Sequence, residues 1–475
     1  MKYLDNGKKA ADLKIAYVGG GSRGWARGLM SDLAQEACMS GTVYLYDIDY
    51  EAAKSNEKIG NGIYDREDVL GKWHYKAVPT LEEALDKADF VIISILPGTF
   101  DEMASDVHLP EKYGIYQSVG DTVGPGGIVG PGGIVRALRT IPMYKVIAEG
   151  IKKCCPNAWV INYTNPMTLC TAALYAYFPE IKAFGCCHEV FGTQKILGLA
   201  YQEKYGTFIE RKDVNVNVVG VNHFTWITSA HYGNVDLMPI YKEFVDKHYK
   251  DGYIVDTSTH WMNNTFVSAE RVKFDLFKRY GVIAAAGDRH LAEFCPGYWY
   301  LKDPETVKEW KFGLTTVDWR REDLAKKLDK TNKLLSGEEK FELRVTGEEG
   351  VKQMKGILGI EPFVTNVNMP NYGQISNLPL GVVVETNASF SPRGVQPVTA
   401  GPLPKGVDSL VHRVVYGQQL TLEAAITGNY DLALKAFQND ANVCIAPDKS
   451  RELFEKMLEN TKAYLPFYDK WVKNK

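Results

Sequence analysis

Residues 13–24 read LKIAYVGGGSRG, an apolar run rich in β-formers that leads directly into a cluster of glycines. The run predicts a buried parallel strand, and Gly19, Gly21 and Gly24 satisfy the pattern G-x-G-x-x-G. Glycines allow a tight turn and close approach to a pyrophosphate, and the N-terminus of a following helix offers free N–H groups. We therefore expect this loop, including Ser22, to bind the phosphates of a dinucleotide.

The segments around the loop continue this pattern. The following helix is predicted to carry four apolar residues on one face: Trp25, Leu29, Met30 and Leu33. A second strand, residues 42–49, carries Asp47 near its end, and a third apolar run spans residues 89–97. A carboxylate at the end of the second strand can accept hydrogen bonds from a ribose 2′-hydroxyl, and it disfavours a 2′-phosphate. The sequence therefore predicts NAD as cofactor, with Asp47 on its ribose.

Further alternation of strands and helices predicts an α/β fold of the Rossmann type, with a doubly wound parallel sheet. Residues 158–164 and 182–187 are additional strand candidates, and residues 317–345 have the pattern of a solvated helix pair. We expect an NAD-binding domain at 1–205 and a mixed α+β domain at 206–475, which would bind substrate and metal and form oligomer contacts.

Composition argues against several classes of protein. The 475 residues carry a net charge of -3, without the basic excess that binding of nucleic acid requires. The apolar run at residues 90–96 is far shorter than the ~20 residues of a membrane-spanning helix, and the first residues lack an apolar signal core. The eight cysteines form no CxxC pair, so a zinc ribbon or a disulfide framework is not indicated. We expect a cytoplasmic protein with reduced thiols.

Later segments carry side chains suited to a ligand or metal site. Asn165 ends a predicted parallel strand, at the edge where ligands bind, although asparagine before proline is also a common turn residue. Cys186, Cys187 and His188 follow the next strand, and His223 comes later. Cysteine and histidine bind soft or borderline divalent ions. Their spacing is not diagnostic, and buried structural residues are the alternative interpretation.

Taken in order, these segments resemble glycoside hydrolase family 4. The shared motifs are KIAYVGGGS, LYDID, a GPGG loop, NYTNPM, GCCHE, GVNHF and GDRH. Within the family the chain is most similar to the α-galacturonidase branch, through GWAR, YQSVGDTVGPGG, GCCHEVFGTQK, GDRHLAEF and TNVNMPN. The resemblance implies an NAD-binding sheet followed by an α+β catalytic domain, arranged as in lactate and malate dehydrogenases.

The resemblance also implies hydrolysis by oxidation and elimination, an exception to the usual scheme of two carboxylates. NAD⁺ takes hydride from C3 of the sugar, and a base then removes the C2 proton that the new ketone has acidified. The C1 substituent leaves, water adds to the enone, and NADH returns the hydride, so no net NADH accumulates. Mn²⁺ or another divalent ion stabilises the negative charge that develops on the sugar.

Site residues follow from the motif match. Cys187 and His223 are the expected metal ligands, although neighbouring residues on a strand face opposite ways and Cys186 is the alternative. His188 either protonates the leaving oxygen or only orients the substrate. Asp288 is the expected C2 base.

Further substrate contacts also follow from the resemblance. Asn165 is expected to hold sugar hydroxyls near the nicotinamide, and His290 is the second candidate for the base. Three arginines are candidates for the uronate carboxylate: Arg289, Arg136 and Arg139. Arg289 is the first choice because it neighbours Asp288.

Two departures from the family pattern affect the expected function. Residues 94–100, SILPGTF, lack the arginine that phosphosugar enzymes carry there, so phosphorylated disaccharides are disfavoured. The hexapeptide GPGGIV occurs twice in tandem, at 124–129 and 130–135, which could displace Asp121 or the loop's backbone donors. We expect a functional enzyme with a bulged loop, because added loop length alone costs under about 1 kcal/mol.

The sequence thus predicts an α-galacturonidase that acts on small, pectin-derived uronides and has no nucleic-acid or membrane partner. An α-glucuronidase or α-glucosidase of the same family is the nearest alternative. A dehydrogenase of the lactate–malate type would share the Rossmann start but would not need the Cys187 and His223 pair. A non-catalytic NAD sensor would need neither this pair nor Asp288. By resemblance we expect a homodimer or homotetramer.

Overall fold

The computed structural model describes residues 1–118, 130–255 and 268–473. Asp121 and the first copy of the hexapeptide, residues 124–129, lie outside the described residues. The second copy opens a long helix, where Ile134 and Val135 are buried.

The first half of the chain alternates strands and helices, as predicted. Its strands are β1 (Lys2–Leu4), β2 (Lys9–Val18), β3 (Met39–Tyr46), β4 (Trp73–Val78), β5 (Phe90–Ile93), β6 (Trp159–Asn162) and β7 (Lys182–Gly185). Its helices are α1 (Trp25–Ala34), α2 (Tyr50–Asn61), α3 (Leu81–Leu85), α4 (Phe100–His108), α5 (Gly130–Cys154), α6 (Met167–Tyr177) and α7 (Glu189–Tyr205).

The second half mixes short strands with more helices. Its strands are β8 (Val214–Val221), β9 (Phe224–Tyr232), β10 (Val235–Asp236), β11 (Ile283–Ala284), β12 (Phe363–Pro370), β13 (Val383–Ser391) and β14 (Gly394–Pro397). Its described helices are α8 (Met238–His248), α9 (Arg271–Tyr280), α10 (Asp288–Phe294), α11 (Gly297–Tyr300), α12 (Pro304–Glu309), α13 (Val317–Ser336), α14 (Gly350–Ile357), α15 (Val407–Thr427), α16 (Tyr430–Gln438), α17 (Pro447–Thr461) and α18 (Tyr468–Lys473).

The main sheet has a parallel centre in the order β4-β3-β2-β5-β6-β7. This is the doubly wound Rossmann order, and the predicted fold class is confirmed. The strand order reverses between β2 and β5, so ligands are expected beyond the carboxyl ends of these strands. Antiparallel strands β12, β13 and β14 extend the sheet beyond β7. Strands from both sides of the expected domain boundary therefore share one sheet.

Both faces of the main sheet are buried, which explains the continuous apolar run of β2. Ala16 and Val18 join one hydrophobic cluster with α5 and α6. Ile15 and Tyr17 point the other way, into a cluster with α1 and α14. Because both faces of β2 are packed, the position of its carboxyl end, where the glycine loop begins, is fixed by the core.

The second sheet is antiparallel, with β8, β10 and β11 all paired to β9. The turn between β8 and β9 consists of Asn222 and His223, and His223 has a left-handed φ of 62°. The predicted helix pair at 317–345 is confirmed for its first helix only. Helix α13 ends at Ser336, and Gly337, with a φ of 80°, caps it. Residues 337–349 form no further helix. No helix in the described ranges is long and apolar enough to cross a membrane.

Candidate active site

The glycine loop is held tightly against the carboxyl end of the sheet. Gly19 has a φ of 95°, and a Cβ atom there would lie 1.9 Å from the carbonyl oxygen of Ser94. Ser22 Oγ accepts a hydrogen bond from the N–H of Trp25 at 3.1 Å, where α1 begins just after Gly24. Gly19 therefore cannot carry a side chain, because the loop packs directly against the end of β5. The loop leads into the N-terminus of α1, whose N–H groups could receive a phosphate.

Asp47 follows β3 and is bonded to this loop. Its Oδ2 accepts the N–H of Gly21 at 2.8 Å, and its Oδ1 accepts the N–H of Asp49 at 2.9 Å. Burial raises the pKa of Asp47. The neighbouring Ile48 is 93% exposed, so an apolar surface stands open beside the carboxylate. The arrangement suits a ribose hydroxyl on Asp47 with an adjacent flat ring over Ile48.

Asn56, on α2, is a loop contact that the sequence reasoning missed. Its Nδ2 donates to the carbonyl oxygens of Gly20 at 2.8 Å and Ser22 at 3.0 Å. It also accepts a hydrogen bond from Arg27 Nε at 3.0 Å. No local motif marks an asparagine in the middle of a helix as a ligand of a distant loop.

Cys187 and His223 meet, although 36 residues separate them in sequence. Cys187 Sγ lies 3.2 Å from His223 Nε2, and both side chains are buried. Cys186 points to the opposite side of the sheet, where its Sγ accepts a hydrogen bond from Gln353 Nε2 at 3.4 Å. The geometry thus favours Cys187 over Cys186 as the residue paired with His223.

The chemistry of this pair fits a soft or borderline divalent ion. Burial raises the pKa of the Cys187 thiol well above its usual value, and a binding cation would displace that proton. Burial lowers the pKa of His223, which keeps the imidazole in its neutral, metal-binding form. Within the described ranges no cluster of three or more His, Cys, Asp or Glu residues is arranged to hold a metal. The pair would therefore supply two ligands, and a bound molecule would supply others.

Asp288 begins α10 as a buried carboxyl group. Its Oδ1 accepts the N–H of Lys273 at 3.0 Å, whereas its buried Oδ2 has no hydrogen-bond partner. Burial and the nearby Glu270 carboxylate raise the pKa of Asp288 to about 7. Such a group can hold or release a proton near neutral pH.

His290, the second candidate for the base, follows Asp288 by two residues on α10. Its Nε2 is 3.3 Å from Glu189 Oε1, and its ring stacks on His223 with centroids 4.8 Å apart. This contact brings the Asp288 segment to the Cys187 and His223 pair.

His188 precedes α7 and forms an ion pair that the sequence did not predict. Its Nδ1 lies 2.7 Å from Glu348 Oε1, and its ring stacks on Trp25. Burial lowers the pKa of His188, but the carboxylate of Glu348 outweighs this and raises the pKa to about 9. Glu348 lies just beyond the predicted helix pair at 317–345, in a stretch for which the sequence predicted no contact with His188.

The three candidate arginines differ in their surroundings. Arg289 is buried, donates from Nη1 to Thr315 Oγ1 and lines the main cavity. Arg139 makes two hydrogen bonds to the buried carboxylate of Asp106, at 3.2 and 2.5 Å. Arg136 Nη2 lies 3.7 Å from the same carboxylate. Arg139 and Arg136 are therefore committed to an internal ion pair, which leaves Arg289 facing the cavity.

Asn165 is buried just beyond β6, where a cis peptide bond joins it to Pro166. Its Oδ1 accepts the N–H of Met167 at 3.2 Å. It lies at the carboxyl end of the sheet, as expected, but it does not line the main cavity.

A cavity of about 940 Å³ connects several of these groups. His188, Asp288, Arg289 and His290 line it. The expected apolar face of α1 is confirmed. Met30 and Leu33 are buried in one hydrophobic cluster, and Trp25 and Leu29 pack against the same cluster while also lining the cavity.

Comparison with known proteins places this geometry in a family. Residues 14–203 match the model of the family 4 glycosyl hydrolases, and residues 218–443 match the model of their C-terminal domain. The α-galacturonidase of Thermoanaerobacterium saccharolyticum is 64% identical, covering 98% of both chains.

The fold of this chain is also similar to solved structures. The crystal structure of lplD from Bacillus subtilis has 51% identity and a TM-score of 0.88, covering 94% of this chain and 100% of that one. The 6-phospho-β-glucosidase of Thermotoga maritima, solved with manganese, NAD⁺ and glucose-6-phosphate, shares the fold at 22% identity. Its TM-score is 0.74, covering 95% of this chain and 99% of that one. From its sequence and its fold, this chain belongs to glycosyl hydrolase family 4.

Proposed function

We propose that this chain is an α-galacturonidase that hydrolyses pectin-derived α-galacturonides with the help of NAD and a divalent ion, Mn²⁺ or another. The observation that carries the proposal is the 3.2 Å contact of Cys187 Sγ with His223 Nε2, close to the histidine and carboxyl groups of α10. The substrate class is supported by the 64% identity to an enzyme named α-galacturonidase. We further propose that it works in the cytoplasm as a homodimer or homotetramer.

Binding of NAD is supported by the glycine loop, Asp47 and the exposed Ile48. The family relative from Thermotoga maritima was solved with both NAD⁺ and manganese, which supports the same pair of cofactors here. When bound, NAD supplies reversible hydride transfer at C3 of the sugar, and the divalent ion supplies a Lewis acid for the C3 oxygen. Cys187 and His223 would hold that ion.

Asp288 is the proposed acceptor of the C2 proton. Its buried Oδ2 has no protein partner and is therefore available for that proton, while Lys273 N–H fixes the other oxygen. Proton abstraction next to a ketone requires a base within hydrogen-bond reach, and the position of Asp288 on the cavity wall supports this role. His290 Nε2 lies 3.3 Å from Glu189 Oε1, so we assign His290 a positioning role and not the role of the base.

His188 is the proposed donor to the leaving oxygen. Glu348 Oε1 is bonded to Nδ1, whereas the carboxylate nearest to Nε2, Glu189, is 3.9 Å away, so Nε2 is the nitrogen proposed to donate into the cavity. Asn165 is proposed to hold sugar hydroxyls at the end of the sheet. Arg289 is proposed to bind the uronate carboxylate, because a guanidinium matches a carboxylate with two parallel hydrogen bonds.

The role of Arg289 can be tested by specificity. Arg289→Ala should lower kcat/KM for an aryl α-galacturonide about 10- to 100-fold relative to a neutral aryl α-galactoside, because a charge-assisted hydrogen bond contributes about 1.5–3 kcal/mol. Arg413→Ala is a matched control, since Arg413 also contacts α10, through the carbonyl of Phe294, but lies outside the main cavity. Unchanged relative rates in Arg289→Ala would reject this assignment.

The proposed function itself is tested with protein stripped of NAD and metal. Release of galacturonate from an aryl α-galacturonide should require both NAD⁺ and Mn²⁺, without accumulation of NADH. The matching α-glucuronide should react more slowly. NADH formed from free sugar acids, with no glycoside cleaved, would instead indicate a dehydrogenase.

A further inference from the structure

A buried carboxylate lies behind the Cys187 and His223 pair. Glu385, on β13, is only 1% exposed. Its Oε2 accepts a hydrogen bond from Asn222 Nδ2 at 2.9 Å, and its Oε1 accepts one from Asn366 Nδ2 at 2.6 Å. Nothing in the catalytic scheme above uses this group.

These hydrogen bonds reach both proposed metal ligands through the backbone. Asn222 directly precedes His223 in the turn between β8 and β9. Asn366, on β12, also donates from Nδ2 to the carbonyl oxygen of Cys187 at 3.2 Å. The carboxylate of Glu385 is therefore hydrogen-bonded, directly or through Asn366, to one segment of each sheet. These two segments carry His223 and Cys187.

The charge of Glu385 is not balanced by the protein groups the structure gives it as partners. The hydrogen bonds to its two oxygens come from amides, Asn222 and Asn366. Burial and the nearby carboxylate of Glu189 raise the pKa of Glu385, so its charge is disfavoured until a cation binds. Burying an ionised carboxylate is costly unless a cation compensates it. A divalent ion on Cys187 thiolate and His223 would carry one net positive charge, and Glu385 would neutralise it.

We propose that Glu385, acting through Asn222 and Asn366, positions Cys187 and His223 and supplies the buried counter-charge for the divalent ion that they would hold. This inference rests on the metal pair of the proposed function. Residues that orient metal ligands typically change metal affinity about 10- to 100-fold when they are replaced. Glu385 is thus a positioning residue rather than a catalytic one.

The test is Mn²⁺ affinity of the reduced full-length protein without substrate, measured from the electron paramagnetic resonance signal of free Mn²⁺. Glu385→Gln should weaken binding about 10- to 100-fold, because it removes the charge and one of the two accepting oxygens. Asn366→Ala keeps the charge but loses the hydrogen bond to Cys187, so it should weaken binding by less.

Asn387→Ala is the matched control. Asn387 lies two residues along β13, on the same face as Glu385, and donates from Nδ2 to Val216 O at 2.6 Å, away from the pair. Its replacement should leave Mn²⁺ affinity unchanged. NAD⁺ affinity, measured in parallel, reports that the sheet is intact.

The outcomes separate the two proposals. If wild type binds no Mn²⁺, or if Cys187→Ser binds it equally well, the metal pair fails and this inference fails with it. If wild type binds through Cys187 but Glu385→Gln and Asn366→Ala bind equally well, only the role of Glu385 is overturned. Should Glu385→Gln not fold, Asn366→Ala against Asn387→Ala decides, and equal affinities in these two would overturn the inference.

Discussion

The cofactor side of the site and its reactive side are built differently. On the cofactor side, the glycine loop and Asp47 satisfy one another, since the N–H of Gly21 donates to the carboxylate at 2.8 Å. On the reactive side, Asp288 Oδ2 and His223 Nδ1 are buried without hydrogen-bond partners. Unpaired buried polar atoms cost stability, and they concentrate where chemistry needs them. The backbone of the glycine loop is thus satisfied within the chain, although Arg23 Nε in that loop is also buried without a partner. On the reactive side, the unpaired atoms belong to a carboxyl group and an imidazole, which can exchange protons or bind a ligand.

The sharpest contrast is expected between two adjacent cysteines. Cys187→Ser should lower kcat at least about 10³-fold, because a Lewis acid contributes several kcal/mol and each ~1.4 kcal/mol is tenfold in rate. Affinity for NAD⁺, on the other side of the site, should change little. Steady-state kinetics at saturating substrate and titration with NAD⁺ measure the two effects separately.

Cys186→Ser is the control, because Cys186 is buried on the opposite face of the sheet. It should keep activity within a few-fold and lose about 1–3 kcal/mol of stability from placing a hydroxyl in an apolar cluster. Equal losses of activity in the two variants would contradict the assignment of Cys187, and not Cys186, to the metal pair.

The next largest effect is expected at the base. Asp288→Asn should reduce kcat/KM about 10²- to 10⁴-fold, the usual contribution of a general base. In wild type, kcat/KM should rise with pH up to about 7, because only ionised Asp288 can take the proton. A pH profile without this acidic limb would argue against Asp288 as the base.

The free energy of unfolding should also depend on the ionisation of Asp288. Whereas kcat/KM rises with pH, this free energy should fall. The pKa of Asp288 is about 7 in the folded protein, owing to burial and Glu270, and about 4 in an unfolded chain. Between these values the unfolded chain binds fewer protons, so wild-type stability falls as the pH rises from about 4 to about 7. Asp288→Asn lacks this ionisable group, so its stability should not fall in this way. Denaturation at pH 5 and at pH 8 should show that the free energy of unfolding of the variant, relative to wild type, is higher at pH 8 than at pH 5. A pH-independent difference would contradict the raised pKa.

The smallest effect is expected on the cofactor side. Asp47→Asn should raise the Kd for NAD⁺ about tenfold, since the remaining amide oxygen still accepts one hydrogen bond. The rate at saturating NAD⁺ should stay near that of wild type. A large loss of kcat that excess NAD⁺ does not restore would show that the two sides are coupled.

The sequence predicted what depends on neighbours along the chain. The glycine loop, the acid after β3 and the strand alternation are local patterns, and the structure has them all. The choice between Cys186 and Cys187 needed the orientation of the residues that follow β7, which spacing alone does not supply. The second helix of the pair at 317–345 was predicted because the charged pattern continues past Gly337, where the first helix ends.

Other parts of the site depend on packing between distant segments. Glu348 reaches His188 from 160 residues further along the chain, and Glu385 reaches Asn222 from 163 residues away. The sequence around Glu348 or Glu385 contains no pattern that indicates its partner, because folding alone brings the two residues of each pair together. The residue types of the site were therefore predictable, but their supporting contacts were not.

We expect oxidation and elimination, and not direct displacement, to break the glycosidic bond. An aryl α-galacturonide labelled with deuterium at C2 tests this when reduced protein with Mn²⁺ and NAD⁺ turns it over in ordinary water. The released galacturonate should have lost the label, and no NADH should accumulate. Full retention of the label, together with undiminished turnover by protein stripped of NAD, would contradict it.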